Sequence, residues 1–314
     1  MEDIQEISFP QKPQDESAQQ SLGRSIISII IFIGAFYLIF KWEITYVLIL
    51  ACVILIHELG HYVAMSIFKY RDLGIFFVPL VGAFASGSKE RISQRQDVII
   101  LLAGPVPGII IGVVLYYFGL RDQSEFLIRT SNILILINLF NLLPIMPLDG
   151  GRVIKSLFFE SSQIINMIFI IISILVLCYI SISSESYFLL IIPFFLFMQL
   201  SNQSQAKKVK QSLAEKGIDT DKSWEELSDR EYWLIRAEII SQSKIYSRVI
   251  SPDEYIVSER EGQIIKQVKN IIRKKPERDL GIGGKILITF FWLLMFIVPM
   301  VIIALYYIRL GLIK

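Results

Sequence analysis

The chain is poor in the residues that most soluble domains use freely. Among 314 residues there are two histidines, two cysteines and 19% charged side chains, against about 25% charged in an average soluble protein. The formal net charge is only +2, so no strong positive field argues for a nucleic-acid partner. Cys52 and Cys178 each fall inside an apolar run. That placement argues against a disulfide framework, and each reads as a small buried hydrophobe. Met1 to Arg24 has no basic stretch followed by an apolar core, as a secretory signal would. It is polar, holds Pro10 and Pro13, and reads as a disordered tail. No internal repeat is present.

Apolar sequence is abundant, at 54% of residues. It is gathered into runs: Ser25 to Phe40, Ile44 to Phe68, Val98 to Gly119, Phe126 to Leu148, Ile164 to Ile182, Tyr187 to Leu200 and Lys285 to Tyr307. A spanning helix needs about 20 apolar residues, with a range of about 17 to 25. The second, third, fourth, fifth and last runs meet that length; the first and sixth are marginal. The pattern therefore predicts an all-α polytopic membrane protein with six to seven transmembrane helices. Ile75 to Ser88 is apolar but short, and Pro79, Gly82 and Gly87 make it a poor helix. A re-entrant, β-like loop is expected there, allowed at membrane depth only where protein or a wet cavity covers it.

Residues 25–200 thus read as a membrane core and 285–314 as a final transmembrane helix and C-terminus. Between them, residues 201–284 read as a small soluble helical domain. Ser228-Asp-Arg-Glu231 has the form of a capping box, and Ser251-Pro252-Asp253-Glu254 the form of a second. Ile264, Ile265, Val268, Ile271 and Ile272 recur at helical spacing. Gly281-Ile-Gly-Gly284 reads as a hinge into the last span. Lysine and arginine concentrate in the loops that share a side with the N-terminal tail, which makes that side cytoplasmic. The cell (inner) membrane is the expected location, with residues 1–24 and 201–284 in the cytoplasm.

Both histidines of the chain lie in His57-Glu58-Leu59-Gly60-His61, inside the second apolar run. On a helix, residues i and i+4 share a face, so both imidazoles can reach one ion. Glu58 sits about 100° around from His57 and can approach a water held by that ion. Zinc lowers the pKa of such a water to about 7, where a carboxylate can take its proton. Three ionisable groups within five residues of a spanning helix are costly there and point to function. A catalytic zinc site takes three protein ligands and keeps one position open. With no third histidine, the third must be Asp, Glu or Cys. Asp149, at the end of the fourth run, is the candidate, although it reads equally well as a turn residue or helix N-cap before Gly150. Its nearness to Arg152, and that of His61 to Lys69, puts both towards the cytoplasmic ends of their helices.

His57-Glu58-x-x-His61 in a spanning helix, followed by Asn141-x-x-Pro144-x-x-x-Leu148-Asp149-Gly150, resembles the site-2 protease family of intramembrane zinc metalloproteases. Ala103-Gly104-Pro105 also resembles a family motif, although Val106-Pro107-Gly108 stands where the family often has a small residue and Asn. The resemblance covers roughly Tyr46 to Arg152. It implies Zn2+ held by His57, His61 and Asp149, with Glu58 as general base. It further implies that Asn141 contacts the substrate backbone or the oxyanion. The loop around Gly82 would then pair with an extended substrate. The substrate would be a transmembrane or membrane-associated protein within the lipid bilayer, with no nucleic acid involved. Two other readings are a membrane zinc protease of the CaaX type, which would use a downstream Glu ligand, and a non-enzymatic membrane metal-binding or transport protein.

Overall fold

The computed structural model describes residues 9–14, 22–79, 82–89, 91–159, 162–243, 246–247, 250–252, 254–272 and 276–309. The chain divides into two compact units: residues 20–197 with 276–314, and residues 1–19 with 198–275.

The larger unit is built from apolar helices: α1 (Leu22–Phe40), α2 (Ile44–Ile67), α3 (Gln94–Ala103), α4 (Pro105–Arg121), α5 (Glu125–Asn141), the short α6 (Asp149–Ile154), α7 (Gln163–Ser183), the first part of α8 (Ile191–Glu215), and α11 (Ile282–Arg309). A single π-helical turn, Lys155–Phe159, extends α6. Among the described residues six helical segments are long and apolar enough to cross a bilayer: Gly23–Phe40, Ile44–Ile67, Gln94–Arg121, Gln163–Ser183, Tyr187–Glu215 and Ile282–Leu305. This is the architecture of a polytopic membrane protein. Several helices begin at a serine whose hydroxyl accepts an otherwise unpaired amide of the first turn: Ser93 for α3, Ser124 for α5 and Ser162 for α7. Large apolar side chains such as Ile30, Leu175 and Leu287 point outward, as expected of faces solvated by lipid.

Two runs differ from expectation. The third is one span in two helices, broken between Ala103 and Pro105, where proline has no amide to continue the ladder. The fourth closes as a helix at Asn141 after 17 residues. Pro144 and Pro147 exclude a helix beyond it, so Leu142 to Leu148 form a turn that leads into α6. Gly60 is where α2 meets the end of α3; a methyl group there would lie 1.9 Å from the Ala103 carbonyl oxygen.

The β-like loop is a two-stranded antiparallel hairpin, β1 (Arg71–Val78) and β2 (Gly82–Ser88), longer than Ile75 to Ser88 alone. Val78 pairs with Gly82, Phe76 with Phe84 and Ile75 with Ala85. Phe77 and Ile75 pack with Phe32 of α1 and Ala51 of α2, and the Phe77 amide donates to Ser28 Oγ at 3.0 Å. Helices on the β1 side thus cover backbone that lipid would leave unpaired.

Gly281 to Gly284 run directly into the last helix. Gly283 and Gly284 lie within α11, and the segment before it is tied to the start of α3. The Gln94 amide donates to the Glu277 carbonyl (2.8 Å), the Glu277 amide to that of Ile92 (2.9 Å), and the Arg95 amide to Asp279 Oδ1 (2.9 Å).

The smaller unit packs the C-terminal part of α8 with α9 (Asp229–Gln242) and α10 (Glu261–Ile271) around Leu213, Tyr232, Trp233, Ile235, Ile264 and Val268. Its boundary at Met198 falls inside α8, and its end at Lys275 precedes the expected 284. The capping box of Ser228 and Glu231 forms. The second does not: residues 254–258 are irregular, and Asp253 lies outside the described residues. Ahead of α10, whose N-cap Arg260 makes no side-chain cap, the Ser258 amide donates to Glu261 Oε2 at 2.9 Å. Arg236, fully buried, donates to both Glu261 oxygens (2.8 and 3.1 Å) and to the carbonyls of Glu254 (3.0 Å) and Ile256 (2.8 Å). Arg236 therefore holds the irregular strand that a helix was expected to fill. The tail also differs from expectation. Residues 9–14 are ordered against this unit, while residues 1–8 and 15–21 lie outside the described residues. Cys52 and Cys178 are free, and Cys52 is exposed rather than buried.

Candidate metal centre

α2 carries His57, Glu58 and His61 on its buried side, each less than 9% exposed. Asp149 is the first residue of α6 and is equally buried. Its carboxylate meets both rings: Asp149 Oδ2 lies 3.1 Å from His57 Nε2 and 3.2 Å from His61 Nε2, and the two Nε2 atoms are 3.2 Å apart. Three donor atoms thus form a near-equilateral triangle. Two ligands held at 2.0–2.1 Å from a tetrahedral zinc lie about 3.3 Å apart, so the triangle fits zinc in size. Among the described residues this is the one group of three such side chains that converge.

The partners of the remaining ring nitrogens say what the triangle holds. His61 Nδ1 is 2.8 Å from the Ile100 carbonyl, which can only accept, so this nitrogen carries the proton. His57 Nδ1 is 2.8 Å from Asn138 Oδ1. The Asn138 amide nitrogen donates to the Leu134 carbonyl at 2.7 Å, so its oxygen also accepts. In the neutral rings both Nε2 atoms therefore present lone pairs, and they present them to a carboxylate oxygen. Three lone pairs at this distance repel unless a cation lies between them. The donor set, two imidazoles and one carboxylate, is one that catalytic zinc sites use.

The turn that carries Asp149 is fixed from two other spans. Trp292 Nε1 of α11 donates to the Leu142 carbonyl (3.1 Å), left over at the end of α5. The Met146 amide donates to Ser173 Oγ of α7 (3.0 Å). Arg152 Nη1 lies 3.8 Å from Asp149 Oδ1, which keeps Oδ2 for the rings. Gly104, between α3 and α4, touches His61 directly: a methyl group there would lie 2.3 Å from Nε2. This is the physical content of Ala103-Gly104-Pro105. Gly108, which follows it, faces the Asn138 amide in the same way.

Glu58 lies beside the triangle without joining it. Ala85 of β2 is the main-chain neighbour of its carboxylate. Among the described residues β2 pairs with β1 alone, so the other edge of β2 has no partner strand. Gly82, at the turn end of that strand, has φ +120° and open space around it. Asn141 is not brought to the cluster; its amide donates to the Ile137 carbonyl at 3.2 Å, one turn back on its own helix. The asparagine that serves the site is Asn138, one turn earlier. Sequence reasoning passed over it because it lies inside an apolar run and outside the Asn141-x-x-Pro144 pattern. A buried amide in a span is nevertheless a signal in its own right.

Residues 45–130 match the model of Peptidase family M50, a stretch that includes the His57 to His61 motif and ends before Asp149. A zinc metalloprotease of Methanocaldococcus jannaschii is 29% identical over 121 residues, 37% of this chain and 34% of that protein. Stage IV sporulation protein FB of Bacillus subtilis is 30% identical over 115 residues, 35% of this chain and 39% of that protein. The matched stretch therefore spans just over a third of the length of each relative. The solved structure of the site-2 protease from Methanocaldococcus jannaschii aligns over 56% of this chain and 87% of that one, at 22% identity and a TM-score of 0.42.

Proposed function

We propose, for a chain that carries the domain of the site-2 protease family (peptidase family M50), that it is a zinc metalloendopeptidase acting on membrane-embedded proteins. The observation that carries this reading is the triangle of two Nε2 lone pairs and one carboxylate oxygen beside Glu58, in the interior of a polytopic membrane protein. His57, His61 and Asp149 would hold the metal. When bound, zinc would supply Lewis acidity toward the scissile carbonyl and would lower the pKa of a water molecule. Glu58 takes a proton from the attacking water at a carboxylate oxygen and returns it to the leaving amine nitrogen. Asn138 and the Ile100 carbonyl hold the two rings so that Nδ1 keeps its proton and Nε2 stays bare.

The substrate has to be extended at the cut, because a helix hides its carbonyls in internal hydrogen bonds. The edge of β2 away from β1, from Gly82 to Ser88, has Ala85 beside Glu58 and would offer amides and carbonyls to such a strand. Asn141 could touch that strand only by giving up its bond to Ile137. The excess of Lys and Arg in the loops near His61 and Asp149 supports a site towards the cytoplasmic side of the cell membrane. The helical unit would then lie in the cytoplasm.

The test compares membrane proteomes of cells that carry the wild type or Glu58→Gln, together with the zinc content of both purified proteins. The variant should keep its zinc, while a set of membrane-protein fragments disappears. Fragments that persist unchanged in the variant would remove Glu58 from the mechanism.

A further inference from the structure

Phe9 to Gln14 lies on the helical unit with no regular secondary structure, and it is held as a bound peptide is held. Phe9 packs edge-on to Tyr255, ring centroids 4.9 Å apart. The Pro10 carbonyl accepts from Trp233 Nε1 at 2.7 Å. The Lys12 amide donates to Asp229 Oδ1 at 2.9 Å. Its ammonium donates to the carbonyls of Trp224 (2.7 Å) and Leu227 (2.5 Å) and sits 5.5 Å from the centre of the Trp224 ring.

These contacts fall into two sets. The bonds to the Pro10 carbonyl and the Lys12 amide are to main chain and fix an extended segment of any sequence. The Tyr255 face and the Trp224–Leu227 carbonyls read side chains: an aromatic residue, and an ammonium three positions later. A cation that meets two carbonyls and a π face, with no carboxylate among these contacts, is recognised by shape and donor number as well as by charge. Pro10 and Pro13 bias the segment towards extended conformations and so lower the entropy lost on docking. Trp233 is 1% exposed, and its indole N–H takes its acceptor from this segment. A groove emptied of the segment leaves that donor to be satisfied again.

We propose that the helical unit is a peptide-recognition module. Its groove, formed by Trp224, Asp229, Trp233 and Tyr255, takes an extended aromatic-Pro-x-Lys segment, and Phe9 to Lys12 fills it in cis as a tethered occupant. A segment of the same chemistry in another protein gains the groove by displacing the chain's own. The inference is independent of the metal centre and stands whether or not the chain cleaves peptides.

The experiment uses the purified full-length chain, a version lacking residues 1–14, and a fluorescein-labelled synthetic peptide spanning Ser8 to Gln14, followed by fluorescence anisotropy. The truncated chain should bind the peptide. The full-length chain should bind it on the order of 100-fold more weakly, given a tether concentration of about 1 mM against an affinity of about 10 μM. Peptides carrying Phe9→Ala or Lys12→Ala should lose at least 10-fold. A second protein, full-length with both Phe9→Ala and Lys12→Ala, empties the groove without truncation and should behave like the truncated chain. Equal binding of the Lys12→Ala peptide would overturn the proposal, as would no binding by either emptied protein. Unfolding of both emptied proteins would show the segment to be a fixed part of the fold and would overturn it equally.

Discussion

Gly104→Ala probes the candidate metal centre without replacing any of its three donor residues. The added methyl group would lie 2.3 Å from His61 Nε2, 2.5 Å from Cε1 and 2.8 Å from Cδ2. Non-bonded carbon contacts settle near 3.5 Å, so the ring must retreat by about 1 Å or the α3–α4 junction must move. The ring has little freedom to retreat, because Nδ1 is tied to the Ile100 carbonyl at 2.8 Å and Nε2 lies 3.2 Å from both other donors. Metal–ligand distances tolerate about 0.2 Å. Strain from overpacking adds about 1–3 kcal/mol to the loss of stability. Loss of a supporting contact at a metal site typically weakens affinity 10–100-fold, and displacing a ligand does at least as much. The variant should therefore bind zinc about 100-fold more weakly, or about 2.7 kcal/mol. A competitive titration against a chromophoric chelator measures this on purified protein, with Gly34→Ala as the control because a methyl group there meets nothing within 4 Å. Zinc affinity for Gly104→Ala equal to that of the control would refute the claim that Gly104 shapes the site.

Two further outcomes follow from residues behind the site and within the helical unit. Asn138→Leu leaves the His57 Nδ1–H without its acceptor and should weaken zinc binding about 10–100-fold, while Asn138→Asp, which still accepts, should stay close to wild type in the same titration. Burial alone would raise the Glu261 carboxyl, but the bonds from Arg236, the Ser258 amide and Tyr232 hold it below its ordinary value of 4.5. Such a group contributes stability above its unfolded value that is lost as pH falls through the lower folded one. Thermal melts of the helical transition should therefore drop as pH falls below about 4.5, and Glu261→Gln should flatten that dependence; an unaltered slope would free Glu261 of the role.

The three residues of the buried cluster and Glu58 beside it could be read from the sequence because each is an ionisable side chain in an apolar run, where its cost to the fold demands a reason. His57, Glu58 and His61 share one helix, so a period of 3.6 sufficed to bring them together. Asp149 needed the chain to turn at Pro144 and Pro147, and proline is among the few residues whose backbone effect can be read directly. The hairpin was legible as a poor helix but not in its length, because Arg71 to Gly74 carries no strand signal apart from its partner β2. Ser251-Pro252 misled because a capping pattern is local, whereas Arg236 takes the carbonyls of Glu254 and Ile256, which a helix there would have used.

What escaped the sequence altogether is mostly main chain. The orientation of His61 depends on the Ile100 carbonyl, and the seat of Asp149 on the Leu142 carbonyl and Met146 amide. Every residue but proline has the same backbone groups, so no pattern of letters announces which of them will face the site. The membrane sharpens this. In water a stray carbonyl finds a solvent partner, whereas at bilayer depth it must find one in the protein. The break after Ala103 and the turn at Leu142 each expose backbone groups, for which His61, Trp292 and Ser173 supply partners. The candidate ligand cluster is therefore carried by interruptions of regular structure, and the residues that create them, Gly104, Pro105, Pro144 and Pro147, shape it as much as its own side chains do.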